Sequence, residues 1–224
     1  MRADGRVLGP VRLILDGTDV TPTAPRERVL LAALLVAGGR EVPAATLVTR
    51  VWHDTPPAKA VPALQARVSR LRRSLAAAGP AAPGLLRHGR GGYRLDIPES
   101  ALDSYRFAAL LELAWAAWHD GDHRRTLREL DAALALWHGP AFAGLAGPAG
   151  GSPYEELRSL LEEERLEAHA LRVDAALATG CHASAVAELR ELLHRHPCDE
   201  RFRYRLAEAL RGADGPAQAA WRVP

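Results

Sequence analysis

Lysine is almost missing from these 224 residues: Lys59 is the only one, and arginine supplies the other basic side chains. Cysteine is nearly as scarce. Cys181 and Cys198 cannot build a disulfide framework, so no covalent staple is expected. Aromatic residues make up only 5% of the chain, which leaves Leu, Val and Ala to fill any core. No apolar run approaches the ~20 residues needed to span a bilayer. The N-terminus has no hydrophobic segment followed by a small-residue cleavage site. The expectation is a cytoplasmic chain with no membrane partner.

Motifs of catalysis are missing as well. There is no phosphate-binding loop, no Gly-x-Ser-x-Gly and no His-Glu-x-x-His. Glu162-Glu163-Glu164 reads as a solvated helix face rather than an acid–base pair. Cys181, His182, His194, His196 and Cys198 gather around one helical hairpin, but without the close Cys and His spacings of a zinc site. Cys198 is expected as a small buried hydrophobe, and His194 and His196 suit a helix C-terminus. The reading is a non-enzyme with no cofactor and no metal.

What the chain does have is arginine, unevenly placed. Hydrophobic content of 48% and charged content of 25% are ordinary for a globular protein, and a net charge of +2 looks unremarkable. Residues 1–98, however, hold 15 basic against 7 acidic side chains, and residues 99–224 hold 14 against 20. An arginine-rich genome would not give the two parts opposite sign. A basic module joined to an acidic one points to nucleic acid on one side and a protein partner on the other.

The first part alternates short strands and helices. Val7-Leu8-Gly9 and Val11–Leu15 read as strands, Asp16-Gly17 as a turn, and Thr18–Thr21 as a third strand. A helix is predicted from Pro25 to Ala37, stopped by Gly38-Gly39, and a second from Pro43 to Trp52. A third starts near Pro62 and ends before Gly79-Pro80; Leu85–Ile97 then reads as a hairpin.

Beyond Pro98 the pattern is helical only: 104–119, 123–138, 153–179, 182–196, 199–211 and a short 216–222. Paired helices at roughly 34-residue spacing suggest tetratricopeptide-like packing. Ala141–Ser152 reads as a loop between pairs, and Trp115, Trp118 and Trp137 as core of the helical part. The predicted fold is mainly α with a small β component. It comprises a winged helix-turn-helix over 1–98 and an all-helical domain over 99–224.

The third helix and the hairpin carry the chemistry. Leu64, Val68, Leu71 and Leu75 recur at spacings of four, three and four, so one face is apolar. Gln65, Arg67 and Ser69 lie on the wetter face, with Arg70, Arg72 and Arg73 around it. Gln can pair bidentately with adenine and Arg with guanine, at ~1–3 kcal/mol of discrimination per good pair. Arg87, His88, Arg90 and Arg94 mark the hairpin. Gly91-Gly92 is expected to make a tight turn with positive φ, and Tyr93 to pack its ring beneath it. A solvated amphipathic helix is the plain alternative, but it leaves the charge split and the basic hairpin without a reason.

Several segments follow one family pattern in order. They are Leu8-Gly9-Pro10, Asp16-Gly17, Arg28 with Leu30–Leu35, Gly39-Arg40, Leu47–Trp52, Pro56-Pro57, and Leu64-Gln65 through Val68–Arg73. Gly92-Tyr93-Arg94-Leu95, Leu136–Ala141, and His196-Pro197 with Glu200-Arg201 continue it. The chain resembles the Streptomyces antibiotic regulatory proteins, which join an OmpR-like winged helix to a bacterial transcriptional activator domain. The resemblance implies an activator of secondary-metabolite genes that binds promoter direct repeats in tandem, as a pair of protomers, and contacts RNA polymerase. By position it implies that Ala66, Arg67 and Arg70 lie closest to bases and that Ser69, Arg72 and Arg73 lie nearer phosphates.

The chain departs from the pattern in three places. Gly89 stands where relatives carry Arg, leaving Arg90 to reach the minor groove. Pro62-Ala63 replaces polar phosphate contacts, for which Lys59 compensates. Val223-Pro224 ends the chain where at least one more helix is expected, so the last hairpin is expected to leave an apolar groove open. The rival reading is a helical-repeat adaptor whose winged domain does not bind DNA.

Overall fold

The computed structural model describes residues 1–53, 55–145 and 154–219. Strands β1 (Ala3–Arg6), β2 (Arg12–Leu15) and β3 (Thr18–Asp19) form an antiparallel sheet in that order. Leu13 and Leu15 alternate inward against Arg12 and Ile14, the period of two that a half-buried strand requires. Asp16 and Gly17, both at positive φ, close the hairpin between β2 and β3.

The expected strand at Val7–Gly9 is not one; the pairing partner of β2 is Ala3–Arg6. Val7 and Leu8 are buried, but their backbone bonds to loops and not to a ladder. Their N–H groups donate to the Asp103 carboxylate at 2.9 Å. The carbonyls of Val7 and Leu8 accept from the N–H groups of Phe142 and His138, each at 2.8 Å. Hydropathy reported the burial of this run and could not report which partner satisfied it.

Three helices follow: α1 (Pro25–Val36), α2 (Ala44–Trp52) and α3 (Ala60–Leu75). Pro25 occupies the first turn of α1, where its missing N–H costs nothing, and Gly38 and Gly39 at positive φ end the run. Val29 to Leu35 are buried without interruption, which makes α1 the central helix of this part. Helix α3 begins two residues before Pro62, so the proline sits in the first turn and breaks no ladder bond. A second sheet has the order β4 (Val42–Pro43), β6 (Gly92–Leu95), β5 (Leu86–His88). Two-residue β4 has too little sequence to announce itself.

The remaining helices are α4 (Asp103–His119), α5 (His123–Leu134), α6 (Glu155–Ala178), α7 (His182–Arg195) and α8 (Glu200–Ala219). Helix α5 stops four residues short of the expected His138. Two helices were expected over 199–211 and 216–222, and α8 is a single helix through Ala219. Residues 220–222, the last hairpin's expected open end, and most of the loop expected at 141–152 lie outside the described residues. Among the described residues, no helix is long and apolar enough to cross a membrane.

The chain divides into two compact units, residues 1–107 with 136–162, and residues 108–135 with 163–224. In the first, Trp137 packs edge-on against Phe107 at 5.5 Å, and Tyr154 donates its buried hydroxyl to the Val29 carbonyl of α1 at 2.8 Å. Trp137 therefore fills this core and not that of the helical unit. In the second unit, Val173, Ala176, Ala185, Val186, Leu189, Leu192, Phe202 and Ala209 form one buried cluster. Paired helices α7 and α8 pack around it, as their spacing suggested. Trp118 is half-buried and Trp115 exposed, so neither is the core anchor expected. Both cysteines are exposed, against the expectation for Cys198. Among the described residues no His, Cys, Asp and Glu group is placed to hold a metal.

Asp103 is a buried polar hub of the first unit. It accepts from the N–H groups of Val7, Leu8 and Ser104. Burial still pushes its carboxyl above the usual range, because three donors do not fully replace water. Asp103→Ala strands the buried N–H groups of Val7 and Leu8, and should lower unfolding stability by about 2–4 kcal/mol in urea titration. A fragment ending at Pro98 loses the Phe142, His138 and Tyr154 partners together, and is expected to melt well below the full chain in a thermal scan.

Candidate nucleic-acid interface

Helix α3 is held from behind and open in front. Leu64, Val68, Leu71 and Leu75 are all essentially inaccessible to solvent. Burying four such side chains contributes on the order of 1.5–3 kcal/mol each before entropy is counted. That seam fixes the helix's rotation, and the opposite face follows from it. Gln65, Ala66, Ser69, Arg70 and Arg73 are exposed, and Lys59 is exposed at the residue preceding the helix. A cation at a helix N-terminus works against the helix dipole, so Lys59 gains nothing from α3 itself.

Three arginines expected on that face have partners within the fold. Arg67 is only 22% exposed, and its guanidinium lies 2.9 Å from the buried carboxylate of Glu27 on α1. Arg70, 52% exposed, reaches the same oxygen at 3.4 Å. Arg72 turns back and donates twice to the Leu86 carbonyl, at 2.9 and 3.2 Å, tying α3 to the start of β5. Arg67 and Arg72 thus brace the helix and the hairpin, each with its guanidinium on a partner within the fold. Arg70 is shared: one edge touches Glu27 and the rest faces solvent. An open cleft beside it is lined by Thr23, Glu27, Arg70, Arg73 and Ser74.

Glu27 stands between Arg26 and Arg28 in the first turn of α1, so local pattern does not mark it as buried. Burial alone would push its carboxyl up. The Arg67 hydrogen bond, its own backbone N–H and Arg70 outweigh that and hold it below the usual carboxylate range. Both arginines use Oε1; among the described residues Oε2 has no hydrogen-bond partner.

The hairpin rises from β5 and β6. Tyr93 is buried and its ring packs 4.9 Å from that of His88, beneath the turn as expected. Arg90 is exposed at the tip, Arg94 is half-buried, and Arg87 pairs with Asp96 at 2.8 Å. The glycines act differently from the expectation, since neither Gly91 nor Gly92 has positive φ. Gly92 is required by proximity: a Cβ there would stand 2.0 Å from the Val42 carbonyl oxygen of β4. At Gly89 an added Cβ would meet the Glu41 carboxylate, the movable end of a side chain, so the constraint there is softer.

Elsewhere the acidic run does not converge on one site. Glu162 accepts the Ala141 N–H at 2.8 Å, Glu163 pairs with Arg201 at 3.1 Å, and burial followed by Glu167 pushes Glu164 up.

Because the folded Glu27 carboxyl titrates below its unfolded counterpart, its contribution to stability is present above the ordinary glutamate value of 4.5. It is lost as pH falls through the lower folded value. Glu27→Gln should cost about 1–3 kcal/mol at pH 7, discounted for the partial exposure of Arg67. Urea unfolding across pH should show the gap between wild type and variant closing under acid.

The order of the two parts of the chain recurs in known proteins. Residues 102–221 match the Bacterial transcriptional activator domain, and residues 18–95 match the family described as Transcriptional regulatory protein, C terminal. Regulatory protein AfsR of Streptomyces coelicolor is 40% identical over 216 residues, covering 95% of this chain and 20% of that protein. Regulatory protein DnrI of Streptomyces peucetius is 33% identical over 220 residues, covering 95% of this chain and 79% of its own length. The solved structure of Mycobacterium tuberculosis EmbR in complex with a low affinity phosphopeptide is 32% identical, with a TM-score of 0.85. The match covers 97% of this chain and 57% of that one. This chain therefore spans a fifth of AfsR and a little over half of EmbR. With both domain patterns present in order, and most of DnrI covered, the chain belongs to the Streptomyces antibiotic regulatory protein family of transcriptional regulators.

Proposed function

We propose that the chain is a cytoplasmic transcriptional activator, and not an enzyme, whose winged helix over residues 1–98 binds promoter DNA. The observation that carries this reading is the exposed face of α3. Gln65, Ala66, Ser69, Arg70 and Arg73 stand together on a helix whose opposite side is fixed in the core. A helix of that kind fits a major groove, where Gln65 and Arg70 supply donors for base edges and Arg73 and Lys59 meet phosphates. Arg90, exposed at the hairpin tip, suits the adjoining backbone or minor groove. Arg67 on Glu27 and Arg72 on the Leu86 carbonyl hold α3 itself in place, so the helix need not reorient on binding.

The acidic helical domain over 99–224 gives the second half of the reading. It orders protomers on direct repeats and offers a surface to RNA polymerase, and by family membership the target genes belong to secondary-metabolite biosynthesis.

Salt dependence of duplex binding tests the core of the proposal. With about six phosphate contacts, log affinity should fall against log salt with a slope of roughly −5. Arg70→Ala with Arg73→Ala should weaken binding at least tenfold and flatten the slope by about 1 to 2. Retention of a selected duplex by that double variant at wild-type strength would instead favour a protein-interaction adaptor.

A further inference from the structure

We infer that Glu41 is a positioning residue that sets the wing tip for its contact with the nucleic-acid backbone; this rests on the DNA reading above. Glu41 precedes β4, and that strand pairs with β6 in the register Val42↔Tyr93 and Pro43↔Gly92. The pairing brings the Glu41 side chain up to the hairpin turn formed by residues 89–91. There its Oε1 accepts the Gly91 N–H at 3.0 Å. Its Oε2 occupies the space that a side chain at position 89 would fill, 1.8 Å from an ideal Cβ. The turn is closed on its other side by the Gly89 N–H donating to the Gly92 carbonyl at 2.9 Å, and the Gly91 carbonyl accepts from Ala44 at 3.0 Å.

Each neighbour of Arg90 is therefore tied down. Gly89 is held by its N–H on the Gly92 carbonyl, and Gly91 is held by Glu41 on one side of its peptide and by α2 on the other. Arg90 projects between two anchored residues, which aims its guanidinium and removes loop freedom that would otherwise be lost on binding. The anchor carries a negative charge at a surface meant for a polyanion. On electrostatics alone, removing it should help binding. If the anchor is what matters, removing it should hurt. The two effects have opposite signs, so the inference is decidable.

Three variants separate them, tested on a short duplex selected from a random pool by the wild-type chain. Glu41→Gln keeps the Oε1 acceptor and loses the charge; it should bind at least as tightly as wild type. Glu41→Ala loses both, and should bind about three- to tenfold more weakly, the worth of one hydrogen bond. Gly89→Ala evicts the carboxylate and should match Glu41→Ala, with the double variant no worse than either single one.

Backbone 15N relaxation gives a readout independent of DNA. The Gly91 order parameter should fall from about 0.85 toward 0.6 in Glu41→Ala and stay high in Glu41→Gln. Equal Gly91 order in all variants, tighter binding by both Glu41 variants, or additive losses in the double variant would each overturn the inference. A wild-type chain that binds no duplex while the relaxation contrast persists would instead sink the DNA reading, and the wing's use with it.

Discussion

A helix crowded with arginine is useful only if its rotation is fixed, and here the fixing is done by four aliphatic side chains. Leu64, Val68, Leu71 and Leu75 press α3 against the core built around α1, and each is essentially inaccessible. Their spacing determines which residues look outward. A slip of one position would bury Ser69 or Arg72 and expose a leucine, an exchange that costs both the hydrophobic gain and the desolvation of a polar group. Every other feature of the proposed interface is an addition to this seam.

The additions are polar and come from far along the chain. Glu27 reaches Arg67 and Arg70 from α1, Arg72 reaches the Leu86 carbonyl, and Glu41 reaches the Gly91 amide. Each joins α3 or the wing to another element, 14 residues away for Arg72 and 40 or more for the others, and each uses a charged group as a brace. Such contacts are weak singly at an exposed site. Around a scaffold already ordered by apolar packing they act on orientation, where little energy is needed to favour one rotamer.

The same division runs through the first unit's opening loop. Val7 and Leu8 carry the burial, while Asp103, His138, Phe142 and Ala143 satisfy the backbone that burial removes from water. A winged helix delimited at Pro98 by charge and pattern thus has backbone partners contributed from residues 103–154. The compact unit and the sequence-defined domain overlap without coinciding, because a change of composition marks chemistry and not contacts.

Much was legible beforehand because periodicity is local. The Leu64–Leu75 stripe, the Pro25 start, the Gly38-Gly39 stop and the exposure of Gln65, Ser69, Arg70 and Arg73 all follow from side-chain character at fixed spacing along one helix. Tertiary structure alone decided the pairing: β1 at Ala3–Arg6 instead of Val7–Gly9, the strand β4, and the turn of Arg67 and Arg72 away from solvent. It also decided that Gly92 is needed for close approach and not for positive φ. A guanidinium has several rotamers of similar energy, and only a carboxylate or carbonyl supplied by a distant segment selects among them. Sequence spacing carries the first kind of information and is silent on the second.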